Sequence, residues 1–523
     1  MTFRPSLTAL LCAALLALVA MPVRATDLSI GLAADVSSLD PHYLNTAPNI
    51  AVASHVFDTL VQVDADGKLI PGLALSWKAV NATTWEFKLR PGVKFSDGSA
   101  LTLEDVLFSL ERPTSIVNSP GPFTPFTKII ASKQMVDAQT LRLTTREPYG
   151  ALPLDLASIF IVSKKAAANA TQEDFNSGRA LLGSGPYKLL RFARGERIEL
   201  ARNEHWWGGK SAWDKVTLRI LPADAARLAA LLAGQVDAIE APPAADLPRL
   251  KNDARFRLEQ RPSWRTLFIT LDQARDISPF VTDAKGQALT RNPLKDARVR
   301  LALSQAIDRK ALCERTLDGL GVPAANLVAP GILGHVDALK PAPYDPEGAK
   351  KLLREAGWPE GFGLTLHGPN NRYINDNQTL QTVAQFWSRI GVKTRVETLP
   401  LSVYFGRLRK TDFSAGLLGW GSLAGDMTLK NLAATPDADK GWGAWNWGGY
   451  RNAKADAAMH EALAATDEAK RRRLAAEGAA LALHDTALIP LHHQVVSWAM
   501  KKGLSYPARI DEFTFAWQFR PAP

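Results

Sequence analysis

TTWEFKLRPGVKFSDGSALTLEDVLFSLER, residues 83–112, is the stretch whose reading decides the fold. Trp85, Phe87 and Leu89 alternate with Glu86 and Lys88, the period-two pattern of a strand with one buried face. Pro91-Gly92 turns the chain, Val93 and Phe95 repeat the alternation as a second short strand, and Asp97-Gly98 supplies a second turn. Thr102 stands three residues before Asp105, a variant of the capping box, so a helix is expected to begin there with Val106, Leu107 and Leu110 facing a core. Every apolar residue of this β-β-α run has a structural use, and none of its polar residues forms a catalytic set.

Upstream, LSIGLA reads as a strand, and Ile50, Ala53, Val56, Phe57 and Leu60 fall on one helical face. VQVDADGKLI is a hairpin around a glycine turn. Downstream, TLRLTT, RIEL and VTLRIL are strands, and AARLAALLAG is a helix. From residue 291 helices dominate: NPLKDARVRLALSQAIDRKALCERTLDGL reads as one long helical region, and DPEGAKKLLREAGW starts another. FGLTLHG, VKTRVETL and AGLLGW are strands between helices, which implies a second α/β lobe. ALIPLHHQVVSWAM is an extended return segment.

At the N-terminus Arg4 precedes the apolar run LTALLCAALLALVA, which is short for a membrane span, and Val23-Arg24-Ala25 offers a cleavage site. Residues 1–25 are expected to be a cleavable signal peptide, giving a soluble product that begins at Thr26. Cys12 lies within the apolar run, not behind a small-residue lipidation motif. Cleavage leaves Cys313 alone, which excludes an intramolecular disulfide, and lowers the formal net charge of +10 by the two units of Arg4 and Arg24. The remaining lysines and arginines are scattered without a basic block, so no nucleic-acid partner is expected.

The enzyme patterns are missing: no HExxH, GxSxG, Walker loop or CxxC occurs. Gly319-Leu-Gly321-Val-Pro-Ala324 imitates a dinucleotide fingerprint but follows a helix and contains Pro323, so it reads as a turn. His492 and His493 are strand neighbours that point to opposite faces and cannot chelate one ion together; hinge packing is their expected use. Cys313 is expected to be a small core residue. Trp264, Trp420 and the cluster Trp442, Trp445 and Trp447 offer flat walls for a ligand, with Trp420 at a strand end and Trp445 in a glycine-rich loop as the first choices. His42, Tyr43 and Asn45, after the Asp40-Pro41 turn, are expected to reach a cleft from the first lobe.

The opening stretch, together with SLDPHYLN (38–45), GSGPYKLLRF (183–192), LARNEHWWGGK (200–210), DARVRLALSQAIDRKAL (296–312), DPEGAKKLLREAGW (345–358), NWGGYRNAKAD (446–456) and LIPLHHQ (488–494), resembles the extracellular solute-binding proteins of ABC transporters, in the family that includes dipeptide, oligopeptide, glutathione and nickel receptors. The marks run in order along nearly the whole mature chain. The resemblance implies an α/β, two-lobed periplasmic binding fold of type II with a hinge between the lobes. Lobe I is expected over 26–262, with an extra subdomain at about 71–180 packed away from the hinge. Lobe II is expected over 263–489, with 490–523 returning to lobe I and crossings near PSWRTLFITLD and LIPLHHQVV.

It also implies a periplasmic, monomeric protein without cofactor or metal, which delivers a short peptide or peptide-like solute to ABC permease subunits in the inner membrane. A receptor for an opine, sugar derivative or metal chelate, and a secreted hydrolase, stand as alternatives. In peptide-binding relatives an Asp in a similar Gly-Asp context pairs with the peptide ammonium, which points to Asp426, although Met427 follows here where those relatives commonly have proline. An Arg just before the corresponding helix grips the ligand carboxylate in dipeptide-binding relatives, which points to Arg372.

Overall fold

The computed structural model describes residues 26–522; the expected signal peptide, with Cys12, lies outside them. No helix among the described residues is long and apolar enough to cross a membrane. The architecture is a two-lobed α/β fold organised on a curled twelve-stranded sheet.

Two long antiparallel strands, Phe256–Leu271 and Leu488–Lys501, run through the middle of that sheet. At one end Trp498–Met500 pairs with Ala238–Glu240, which leads through Asp27–Leu32, Lys215–Ile220 and Arg197–Arg202 to Tyr187–Ala193. At the other end Arg265–Leu271 pairs with Ala415–Gly421, which leads to Phe362–Pro369 and its parallel neighbour Val392–Leu399. The two strands thus belong to both lobes. Their register slips between Pro262 and Thr266, where proline has no N–H to give the ladder. Trp264 sits in that slip, and its N–H donates instead to the carbonyl of Ile510 at 2.9 Å.

Beyond the slip the strand is covered on both faces, which explains the near-continuous apolar run LFITL. Leu267, Ile269 and Leu271 pack on one side with the helices Ala297–Gln305 and Asp376–Arg389, and Phe268 packs on the other with Tyr404, Leu408 and Leu418. The return strand carries His492 and His493 to opposite sides. His493 Nδ1 lies 2.9 Å from the Thr266 hydroxyl, whereas neither ring nitrogen of His492 has a partner among the described residues.

The opening stretch builds part of a separate four-stranded sheet, Ala74–Asn81, Thr84–Leu89, Thr140–Thr145 and Ile130–Met135 in spatial order. Trp85, Phe87 and Leu89 are buried as the alternation requires, and Glu86 faces Arg142 across the ladder at 2.7 Å. Asp105 accepts from the Thr102 N–H and hydroxyl, both at 2.9 Å, and the helix Leu103–Glu111 follows. Val93 and Phe95 are buried, but in place of the expected second strand the chain makes an isolated bridge from Lys94 to Ala100, too short to extend a ladder.

Two further readings change. The long helical region from 291 is broken: Ala297–Gln305 ends before Asp308, whose side chain accepts from the Ala311 N–H and caps a new turn that continues as Leu312–Thr316. Gly321–Pro323, read as a turn, is a short strand paired with His492–Gln494. Cys313 is buried, and burial pushes its thiol up to about 12.

The core of the four-stranded sheet does not end at the first lobe. It continues into Leu429, Met459, Leu463 and Ala479 on second-lobe helices. Backbone meets backbone there: the Gly150 N–H donates to the Leu463 carbonyl at 2.7 Å, and Arg471 donates to the Gly150 carbonyl at 3.3 Å. The lobes therefore meet at the crossing strands, at this far contact, and where Ile510 packs with Val328, Ala329 and Ile332.

Candidate ligand-binding cleft

Between those contacts lies a cavity of about 1460 Å³. One wall comes from the first lobe, through the helix Ala47–Val56, the residues around the short helix Thr124–Thr127 and the segment 146–160. The opposite wall comes from the end of Ala415–Gly421, the helix Gly425–Leu432 and the loop after it. Residues 509–518 complete the enclosure. A site at the carboxyl end of a strand and the start of the following helix is where open α/β sheets present ligands.

The walls are rich in rings. Trp420 meets Trp445 edge-on with centroids 5.5 Å apart, and Trp445 lies 4.8 Å from Trp447. Trp264 meets Phe513 at 6.0 Å, and Phe515 stacks on Trp517 at 4.3 Å. Such rings give contact area at small conformational cost. Gly421 allows the Trp264 ring to lie flat on the backbone, since a Cβ there would fall 2.7 Å from the indole nitrogen.

Of the residues expected to face the ligand, Trp264, Trp420, Trp445 and Asn45 lie on the cavity wall. Trp442 joins them, whereas Trp447 stands behind Trp445. Three expectations from the first lobe's Asp40 turn and the second lobe's arginine are placed elsewhere. His42 is buried against the bidentate Asp40–Arg112 pair, with Nε2 2.8 Å from the Phe160 carbonyl. Burial and the neighbouring Arg112 charge, opposed by Asp40, push its imidazole down to about 4. Tyr43 reaches the Asn118 carbonyl at 3.5 Å and is not on the wall. Arg372 is exposed, lies over the Tyr373 ring at 5.3 Å, and is likewise off the wall.

Asp426 is the clearest correction. Its side chain is fully buried, and both oxygens are taken by Arg471, Nε to Oδ2 at 2.5 Å and Nη2 to Oδ1 at 3.0 Å. The ion pair turns the carboxylate away from the cavity, and the next residue, Met427, forms the wall instead.

Sequence reading missed several polar wall residues. Asp58 accepts from the Trp207 indole at 2.8 Å, the Ser184 hydroxyl at 2.9 Å and the Gln62 amide at 3.1 Å, and burial still holds its carboxyl up at about 6. Arg509 and Asp511 form a buried bidentate pair, with Arg509 bonded to the Val63 and Asp64 carbonyls and tying residues 509–511 to the first lobe. Asp155 and Lys430 face the cavity from opposite lobes. No group of three or more metal-ligating side chains occurs among the described residues.

Residues 68–436 match the family described as bacterial extracellular solute-binding proteins, family 5. The chain belongs to this family. It is 27% identical to the heme-binding protein A of Haemophilus influenzae, over 88% of this chain and 87% of that one. It is also 27% identical to the dipeptide-binding protein of Escherichia coli, over 84% of each. The solved structure of HbpA2 from Haemophilus parasuis superposes with a TM-score of 0.81 at 24% identity, covering 95% of this chain and all of that one, and shows the same fold. This family 5 protein is accordingly a substrate-binding component of an ABC import system.

Proposed function

We propose that the protein captures a short peptide or peptide-like solute in the periplasm and presents it to the membrane permease, without covalent chemistry. The observation that carries this reading is the cavity itself: a partly open cleft walled by both lobes, with aromatic faces and a few polar groups. At about 1460 Å³ it exceeds the range of roughly 300–1,000 Å³ common for drug-sized ligands, leaving room for several residues or for a smaller peptide with water. Residues 26–262 and 490–523 form one jaw, residues 263–489 form the other, and the crossing strands are the hinge. Trp264, Trp420, Trp445 and Asn45 contact the solute.

A second reading takes its support from the same volume and rings. A large flat ligand such as the heme named for the Haemophilus influenzae relative suits aromatic walls, and His460, beside Trp442 at 5.6 Å, offers an imidazole on the wall. A thermal-shift screen separates the two. A ligand at a hundred times its dissociation constant stabilises the native state by about 2.7 kcal/mol. Peptides of two to five residues are expected to raise the melting temperature; a response confined to heme, metal chelates, opines or sugars rejects the peptide reading.

A further inference from the structure

Asp155 lies on the short helix Leu152–Leu156 of the first lobe, on the cavity wall, and is 4% exposed. Every other buried carboxylate near the cavity is well partnered: Asp426 has Arg471, Asp511 has Arg509, and Asp58 has three neutral donors. Asp155 has one, the Tyr149 hydroxyl at 2.8 Å to Oδ2. Among the described residues no side chain or backbone group donates to Oδ1, and no lysine or arginine forms an ion pair with this carboxylate. The second oxygen is not among the buried atoms left without a partner, and Asp155 lines the cavity, so this oxygen is available to a ligand donor.

We propose that Asp155 receives a primary ammonium group of the bound solute, the role that Arg471 closes to Asp426. The inference rests on the peptide reading above. Several charged groups surround the site from both lobes: Tyr149 on its own side, and Lys430, Arg471 and Asp426 across the cleft. Lys430 favours the ionised acid without pairing with it, and both side chains line the same cavity. Burial, against the Tyr149 bond and the two cations, holds the Asp155 carboxyl up at about 7. An arriving ammonium favours the ionised form and releases a proton near neutrality.

The test uses the full mature protein, an equimolar library of free-amine tripeptides, and the same library N-acetylated. For the wild-type protein, free-amine peptides are expected to bind at least tenfold more tightly than acetylated ones. Calorimetry at pH 6.5 in two buffers of different ionisation enthalpy should also show proton release. Asp155→Asn keeps the shape and the unliganded fold, and is expected to abolish both the preference and the release. Equal losses for both libraries assign Asp155 to lobe closure with Lys430 and overturn the inference, as does a variant that keeps the free-amine preference. Stabilisation by neither library overturns the peptide reading itself, and this inference with it. The proton release in the wild-type protein is a readout independent of how the variant folds.

Discussion

Arg471 holds Asp426 through two bonds in a fully buried ion pair, and the same guanidinium reaches the Gly150 carbonyl of the other lobe. Removing the acid leaves a buried cation without its counter-charge, which costs about 3–5 kcal/mol. Asp426→Asn is therefore expected to lower the urea unfolding midpoint strongly while leaving the ratio of free-amine to acetylated peptide affinities unchanged. A variant as stable as wild type that has lost that ratio would return the ligand-binding role to Asp426.

Gly150 provides a clean probe of lobe closure. A Cβ there would fall 1.8 Å from the Ala465 carbonyl oxygen, across the far contact. Its backbone is not in the left-handed region, so alanine fits the isolated first lobe. Gly150→Ala is expected to hold the jaws apart, giving a larger radius of gyration by small-angle scattering, at least tenfold weaker ligand binding, and a lower unfolding midpoint from the loss of the shared core contact. An unaltered radius together with unaltered affinity would mean that the far contact does not form in solution.

Gly421 acts on one wall residue. Alanine at this position would displace the Trp264 ring that lies on its backbone. The variant is expected to lose affinity several-fold, shift the tryptophan emission of the unliganded protein, and keep its far-ultraviolet circular dichroism. Unchanged emission and affinity would show that the Trp264 position does not matter to the site.

Acid should destabilise the fold through its buried histidines. Burial holds His492 at about 3 and His493, His42 and His55 at about 4, so below pH 6.5 the unfolded chain takes up protons that the native one refuses. Each contributes a loss of about 1.4 kcal/mol per pH unit between 6.5 and its native value. Asp58 and Asp155, raised to about 6 and about 7, act in the opposite sense, because the native protein protonates first. Burial also lowers His367 and raises Glu240 and Asp511, so five imidazoles stand against four carboxyls and the expected net loss between pH 6.5 and 4 is small. His492, with no partner at either ring nitrogen, is the one to replace: His492→Leu is expected to be neutral or stabilising at pH 7 and to flatten the acid limb of the unfolding free energy. A loss of several kcal/mol at pH 7 would show that the ring has a partner after all.

Elements whose cause is local were legible in the sequence. Trp85, Phe87 and Leu89 announced their strand and Thr102 and Asp105 their helix, because alternation and capping leave their mark within a few residues, whereas the crossings near PSWRTLFITLD and LIPLHHQVV were implied by the family resemblance. The site was less legible. Nothing around Asp426 reveals that Arg471, on another helix, takes its carboxylate. Arg372 and Tyr43 precede the right helices yet point elsewhere, since side-chain direction is set by packing that no local pattern encodes. Asp155 did leave a signal, a lone acid in the apolar run ALPLDLASIFIV, where a charge has no place in a packed helix turn unless it faces a cavity.

The crossing strands come together over residues 272–487, a longer span than any hairpin in the molecule has to close. Closing such a loop costs more entropy than closing the local pairs 61–71 or 74–89, and folding slows as contacts become distant in sequence. Local pairs are thus expected to form before the crossing strands meet, and the first lobe, whose core includes Trp498, Met500 and Phe519, is completed only with that late pairing. A chain arrested before that step exposes the unpaired edges of both long strands, so edge-to-edge association of half-joined molecules is the misfolding hazard that accompanies this hinge.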